Sequence, residues 1–159
     1  MYGISEVRES LELDFGEFRE RCYRRAAEAR EKSFGNKIAV SGLLPIGNIC
    51  RNHCSYCGLR APNRELPRFR LSLDEIKAAL DGIREKGIRR LFLISGEDPG
   101  RDMEEVIEAV EYASNLGFSA MVGIGVLSTD DCRVLGDAGA ELYALKFETS
   151  NPGIFSSVK

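Results

Sequence analysis

The chain has 159 residues, of which 43% are hydrophobic and 30% are charged, and this composition excludes an intrinsically disordered protein. Its formal net charge of −3 leaves no basic surface for nucleic acid, so no nucleic-acid partner is expected. Its longest apolar run, residues 118–127, is interrupted by Ser and Gly and is far shorter than the ~20 residues that span a bilayer, so no membrane association is expected.

Residues 1–36 predict an N-terminal helical segment, with a helix over residues 13–33 that ends near Gly35. The arginines of this helix alternate with glutamates, which indicates a solvated helix face rather than a nucleic-acid patch. Cys22 lies in this helix and Cys132 in a later one, and both are interpreted as small packing residues. The first residues contain no signal pattern, so a cytoplasmic location is expected.

Strands and helices alternate through the rest of the chain. The predicted strands are short apolar runs, at residues 38–43, 90–95, 118–122 and 142–147. The predicted helices between them begin at capping residues: Ser72 with Glu75, then Asp102 with Glu105, then Ser128 or Thr129. Helix-ending glycines follow at Gly87 and Gly117.

This alternation predicts an α/β fold with about four βα units and a parallel sheet. Four such units do not close a barrel. The outer edge of the last strand would lie open to solvent, which favours a chain that is part of a longer protein.

Three of the five cysteines fall in one short loop after the first predicted strand. Cys50, Cys54 and Cys57 have the spacing C-x3-C-x2-C. In the cytoplasm thiols stay reduced, so this density indicates metal binding or catalysis rather than disulfides. Three thiolates on one loop can hold three corners of an iron–sulfur cube and leave the fourth iron open to another ligand.

The cysteines have two other interpretations. The first is a zinc site with His53 as the fourth ligand, which is disfavoured because His53 lies directly beside Cys54 and closed zinc sites usually use two separated ligand pairs. The second is a non-catalytic iron–sulfur or electron-carrier module. Outside the zinc interpretation, His53 is expected to be a solvated loop residue.

The cysteine motif, with Tyr56 as the aromatic residue before its last cysteine, resembles the signature of the radical S-adenosylmethionine (SAM) superfamily. The extension Cys57-Gly58-Leu59-Arg60 is similar to the subgroup of [FeFe]-hydrogenase maturases, methylornithine synthase and biotin synthase. Residues 95–99 (Ser-Gly-Glu-Asp-Pro) and 148–152 (Glu-Thr-Ser-Asn-Pro) resemble maturase segments. The resemblance implies a partial (β/α) barrel of TIM-barrel type, with residues 37–159 as an incomplete radical SAM core.

The resemblance also implies the cofactors and the chemistry. Cys50, Cys54 and Cys57 would hold a [4Fe–4S] cluster, and SAM would be cleaved reductively to a 5′-deoxyadenosyl radical. The SAM-contacting positions implied by the family are Tyr56, Gly96, Glu97, Gly123 and Glu148. The implied partners are an electron donor such as ferredoxin or flavodoxin and a small-molecule or organometallic substrate.

Within the subgroup, a hydrogenase-maturase function like that of HydE is expected first, with methylornithine synthase-like and biotin synthase-like enzymes as alternatives. Two positions depart from the maturase pattern. Gly123 stands where the maturases usually have a SAM-contacting serine, and Lys146 stands where they often have arginine. Lysine cannot make the bidentate fork with which arginine binds a carboxylate.

Overall fold

The computed structural model describes residue 5 and residues 15–159. The chain divides into two compact units, Met1–Ala39 and Val40–Lys159. In the described part of the first unit, helix α1 covers Phe15–Phe34. This agrees with the helix predicted over residues 13–33, whose first two residues lie outside the described range.

The second unit alternates strands and helices. Its elements are β1 (Ser41–Pro45), α2 (Leu73–Glu85), β2 (Arg90–Ile94), α3 (Met103–Asn115), β3 (Ser119–Gly123), α4 (Thr129–Asp137), β4 (Ala140–Tyr143) and α5 (Pro152–Val158). Among the described residues, no helix is both long and apolar enough to cross a membrane.

The helices begin where side chains satisfy their first backbone N–H groups. Ser72 caps α2 and forms a complete capping box with Glu75, as predicted. Ser128 forms the same box at α4 with Asp131. Asp102 caps α3 as predicted, but it accepts from the N–H of Glu104 and makes no box with Glu105. The predicted helix ends are confirmed at Gly87 and Gly117, which adopt the positive φ that glycine tolerates best.

The four strands form one parallel sheet in the order β1-β2-β3-β4. Alternate residues face opposite sides, so one side of the sheet packs against the helices and the other is open. At the carboxyl ends of the first three strands, Pro45 pairs with Ile94 and Ile94 pairs with Gly123. The predicted parallel α/β architecture is confirmed, and the sheet is not closed.

The core lies between the sheet and the helices. Leu91, Leu93 and Val122 are fully buried on the helix-covered side of the sheet. The residues they meet come from each of the three intervening helices and share near-complete burial: Ile76, Leu80, Val106, Val110, Ala113 and Leu135. Burial of such apolar side chains is the main source of stability in a domain of this size. It also fixes the carboxyl ends of the strands, where the site lies.

The predicted bounds of two strands are corrected. Strand β1 begins at Ser41 rather than at residue 38, because Val40 is largely exposed and pairing with β2 starts one residue later. Strand β4 ends at Tyr143 rather than near residue 147, because the backbone leaves β3 after Ala144 donates to the carbonyl of Val122. The exposed Leu145 and Phe147 therefore lie outside the sheet.

Cys22 is exposed on α1, so its predicted packing role is wrong. Among the described residues, Cys22 lies on a helix whose residues are mostly charged and exposed. Cys132 is half-buried on α4.

Candidate active site

A cavity of about 510 Å³ lies at the carboxyl ends of the strands. It is lined by Pro45, Ile94 and Gly123, which end β1, β2 and β3, and by the loops that follow them. All eight residues named as candidate site residues from the sequence line this one cavity: Cys50, Cys54, Tyr56, Cys57, Gly96, Glu97, Gly123 and Glu148. The fold thus gathers residues that are up to 98 positions apart in the sequence.

The cysteine loop follows β1 and contributes three thiols to the cavity. Cys54 is buried, whereas Cys50 and Cys57 are half-buried, and all three are free thiols. The N–H of Cys57 donates to the carbonyl of Cys54 at 3.1 Å, which turns the chain between these two cysteines. His53 points away from this set: it is exposed and is not among the cavity residues, as expected for a solvated loop residue.

Two polar side chains that the sequence did not single out hold this loop in place. The Arg68 guanidinium donates to the carbonyls of Asn48, Leu59, Arg60 and Asn63 at 2.7 to 3.1 Å. The buried Asn48 amide donates to the carbonyl of Pro67 and accepts from the N–H of Phe69, each at 2.8 Å. Buried carbonyls need such donors because there is no regular secondary structure here to satisfy them.

The loop after β2 supports the cysteine loop from a second side. Gly96 lies against the backbone at Ile49 and the side chain of Cys50. Glu97 joins the same loop: its carboxylate accepts from Arg51 Nε at 2.8 Å and from Asn52 Nδ2 at 3.0 Å, and Arg51 Nη2 also donates to it. Burial would raise the pKa of Glu97, but the hydrogen bonds from Asn52 and Arg51 outweigh it and lower that pKa. Glu97 is therefore ionised at neutral pH.

Tyr56 and Glu148 face each other at the edge of the cavity. Desolvation raises the pKa of Tyr56, and so do its neighbours Cys54 and Glu148. Glu148 has a φ of 63°, a left-handed conformation that is uncommon outside glycine. The N–H of Thr149 donates to the carbonyl of Phe147 at 2.7 Å and closes a three-residue turn around Glu148. The strained turn brings the Glu148 carboxylate back toward the cysteine loop after β4 has ended.

The two departures from the maturase pattern both lie on the cavity wall. Gly123 packs against the ring of Phe92: a Cβ at position 123 would lie 2.9 Å from Phe92 Cε2 and 3.1 Å from Cζ. Phe92 therefore fills the space that a serine side chain would need. Lys146 also lines the cavity, and its side chain is exposed.

The donor chemistry of the cavity fits an iron–sulfur cluster. Three free thiols from one loop are soft ligands suited to iron in such clusters. The described residues that line the cavity include no histidine that could complete a zinc site. Among the described residues, no three His, Cys, Asp or Glu side chains are arranged around a single metal position. The thiols share a cavity without converging on one ion.

A parallel βα sheet with three loop cysteines at its carboxyl end defines a class of protein. The profile of the radical SAM superfamily matches residues 44–154. The chain belongs to that superfamily, whose members bind a [4Fe–4S] cluster and SAM. The members of the superfamily that are similar to this chain are enzymes.

Among curated proteins, the chain is 30% identical over 146 residues to the [FeFe] hydrogenase maturase subunit HydE of Thermotoga maritima, covering 92% of this chain and 42% of that protein. It is 28% identical over 157 residues to the 3-methylornithine synthase of Methanosarcina acetivorans, covering 97% of this chain and 45% of that protein. The chain thus spans less than half the length of these relatives.

Solved structures agree with the fold. The structure of methylornithine synthase (PylB) superimposes with a TM-score of 0.86 and 27% identity, over 97% of this chain and 46% of that one. The [FeFe]-hydrogenase maturase HydG from Carboxydothermus hydrogenoformans superimposes with a TM-score of 0.80 and 29% identity, over 94% of this chain and 35% of that one. The expected partial TIM-barrel type of fold is confirmed by the match to PylB.

Proposed function

We propose that the chain carries the cluster-binding and SAM-binding part of a radical SAM enzyme, with residues 37–159 as its core and residues 1–36 as a separate helical segment. One observation carries the proposal: three thiols and five further predicted site residues line a single cavity at the carboxyl ends of parallel strands. Active sites of βα barrels lie at this end of the strands.

When bound, the cluster and SAM supply reductive cleavage of SAM to a 5′-deoxyadenosyl radical and methionine. The residues of the chain would bind and orient the cluster and SAM. Cys50, Cys54 and Cys57 would hold the cluster and would leave one iron for SAM. The carboxylates of Glu97 and Glu148 place negative charge around the cavity, which suits the positive charge of SAM. Phe92 and Ile94 give the cavity part of an apolar wall.

Replacement of Cys54 tests the proposed ligand set. A Cys54→Ala variant reconstituted anaerobically with iron and sulfide should lack the brown cluster chromophore and should form no 5′-deoxyadenosine from SAM. The matched control is Cys132→Ala, which removes a thiol on α4 that does not line the cavity and should leave both readouts unchanged. A Cys54→Ala protein that retains a parent-like cluster and SAM cleavage would overturn the assignment.

Within the superfamily, we propose a role in [FeFe]-hydrogenase cofactor maturation like that of HydE, acting on an organometallic or other small-molecule substrate. The support is the 30% identity to HydE together with the residues at 57–60, 95–99 and 148–152. A protein such as ferredoxin or flavodoxin would supply the electron. An oxygen-labile cluster also favours a reducing compartment, and the cytoplasm is the proposed location.

The second candidate is a methylornithine synthase-like activity, which the superposition on PylB favours. A biotin synthase-like activity is the third candidate, since the chain is 31% identical over 158 residues to the biotin synthase of Rhodopseudomonas palustris, covering 95% of this chain and 44% of that protein. The full-length protein should restore hydrogenase activity in a maturation mixture that lacks HydE. Formation of 3-methylornithine or biotin without such restoration would replace this assignment by the corresponding alternative.

A further inference from the structure

The Glu97 carboxylate connects the loop after β2 to the first half of the cysteine loop. One carboxylate oxygen accepts from Arg51 and the other accepts from Asn52. The backbone reinforces the connection, because the N–H of Arg51 donates to the carbonyl of Glu97 at 2.9 Å. Arg51 and Asn52 both lie between Cys50 and Cys54, so these bonds fix the segment that spaces two of the proposed cluster ligands.

The Glu97 side chain is held rather than free to reorient. It is only 14% exposed. Gly125 packs against it from the loop after β3, where a Cβ would lie 2.5 Å from Glu97 Cγ. The backbone of Val126 also hydrogen-bonds the carboxylate. Both oxygens are thus engaged by groups of the chain itself, and charge-assisted bonds of this kind are among the stronger hydrogen bonds in proteins.

We propose that Glu97 is a positioning residue, which through Arg51 and Asn52 holds the segment from Cys50 to Cys54 in place before any cofactor binds. This role rests on the proposed function only in taking these cysteines as cluster ligands. It differs from a direct contact between the Glu97 carboxylate and SAM, because it predicts an effect on the cysteine loop of the cofactor-free protein.

Alkylation of Cys54 in the apo protein measures this role without a cluster. Cys54 is 7% exposed, so a thiol reagent reaches it only when the loop opens. Under reducing, metal-free conditions, the rate of Cys54 modification by N-ethylmaleimide, mapped by mass spectrometry, should rise roughly tenfold in Glu97→Ala, the effect of losing about one charge-assisted hydrogen bond. Arg51→Ala should raise the rate similarly.

The variants form a cycle that separates this role from general destabilisation. The double variant with Arg51→Ala and Glu97→Ala should react little faster than Glu97→Ala alone, because Glu97→Ala already removes the bonds from Arg51. Glu97→Gln keeps an acceptor oxygen and should fall between the parent and Glu97→Ala. The matched control is Glu104→Ala, an exposed glutamate in the first turn of α3, which should react like the parent.

Cluster measurements then connect the loop to its ligands. Reconstituted without SAM, Glu97→Ala should retain less iron per chain than the parent, and its reduced cluster should give an altered EPR spectrum. A Cys54 alkylation rate in Glu97→Ala within about twofold of the parent, or fully additive effects of the two substitutions, would overturn the positioning role. If the parent takes up no cluster while alkylation responds as expected, the proposed function fails and the positioning role stands.

Discussion

Gly96 lies so close to Ile49 that a Cβ at position 96 would come within 2.2 Å of the Ile49 carbonyl oxygen and 2.7 Å of Cys50 Cβ. This contact joins the end of β2 to the start of the cysteine loop through backbone atoms, which cannot move aside as a flexible side chain can. Cys50 can occupy its position only because residue 96, on the neighbouring loop, is a glycine and has no side chain.

The Gly96–Ile49 contact predicts that Gly96→Ala is not tolerated. The added methyl group should lower the free energy of unfolding by about 3 kcal/mol, at the upper end for overpacking, and should reduce iron uptake by displacing Cys50. Urea unfolding and iron analysis after anaerobic reconstitution measure the two effects. The control is Gly136→Ala in α4, where a Cβ would meet nothing within 4 Å, and it should leave the stability unchanged or slightly raised. Parent-like stability and iron content in Gly96→Ala would contradict the account.

Gly123 and Phe92 should behave as a coupled pair. Gly123→Ser adds a side chain that meets the Phe92 ring and should destabilise the protein by roughly 1–3 kcal/mol. In a Phe92→Leu background the same substitution should cost clearly less, because the smaller side chain vacates the space. Thermal and urea unfolding of the two single variants and the double variant give the coupling energy. Additive effects would show that Phe92 does not determine the residue tolerated at position 123.

Asp98 should make stability depend on pH in the acid range. Its carboxylate accepts two hydrogen bonds from Arg70, from Nε at 2.7 Å and from Nη2 at 2.8 Å, and the Asp98 side chain is almost fully buried. The bonds from Arg70 hold the pKa of Asp98 below its usual value, although burial acts in the opposite direction. A depressed carboxyl pKa contributes stability above the unfolded-state value of about 3.9 and loses that contribution as pH falls through the folded-state value.

Urea unfolding between neutral pH and about pH 3 tests this linkage, since that range spans the titration of an unfolded aspartate. The parent should lose free energy of unfolding progressively below about pH 4, and Asp98→Asn should show a shallower loss over the same range because one of the linked carboxylates is gone. An unchanged slope in Asp98→Asn would mean that Asp98 is not paired with Arg70 in solution.

Local signals explain which parts of the fold the sequence could predict. Ser72 with Glu75 encodes the start of α2, and Gly87 and Gly117 mark helix ends, because caps depend on neighbouring residues alone. The bounds of β1 and β4 depend instead on where a strand meets its partner, which no local pattern records. Helix α5 is not among the helices predicted from the sequence; it is short and is capped by Asn151, whose side chain accepts from the N–H of Ile154.

The site divides in the same way. The cysteine spacing is local and could be read directly, whereas the supporting residues act across the fold. Arg68 reaches the carbonyl of Asn48, and Glu97 reaches Arg51, over separations of 20 and 46 residues. Arginine is common on protein surfaces, so neither Arg68 nor Arg51 could be recognised from the sequence as a supporting residue. The contact between Gly123 and the Phe92 ring also depends on the register of β2 against β3.

The proposed cluster site has Cys50, Cys54 and Cys57 as thiolate ligands of a [4Fe–4S] cluster, with one iron left for SAM. EPR of the anaerobically reconstituted and reduced protein, recorded before and after addition of SAM, tests it most directly. We expect a [4Fe–4S]⁺ signal whose g-values shift when SAM is added, because SAM would bind the iron that has no cysteine ligand. A cluster signal that SAM leaves unchanged, or a stoichiometric zinc ion in place of iron, would contradict it.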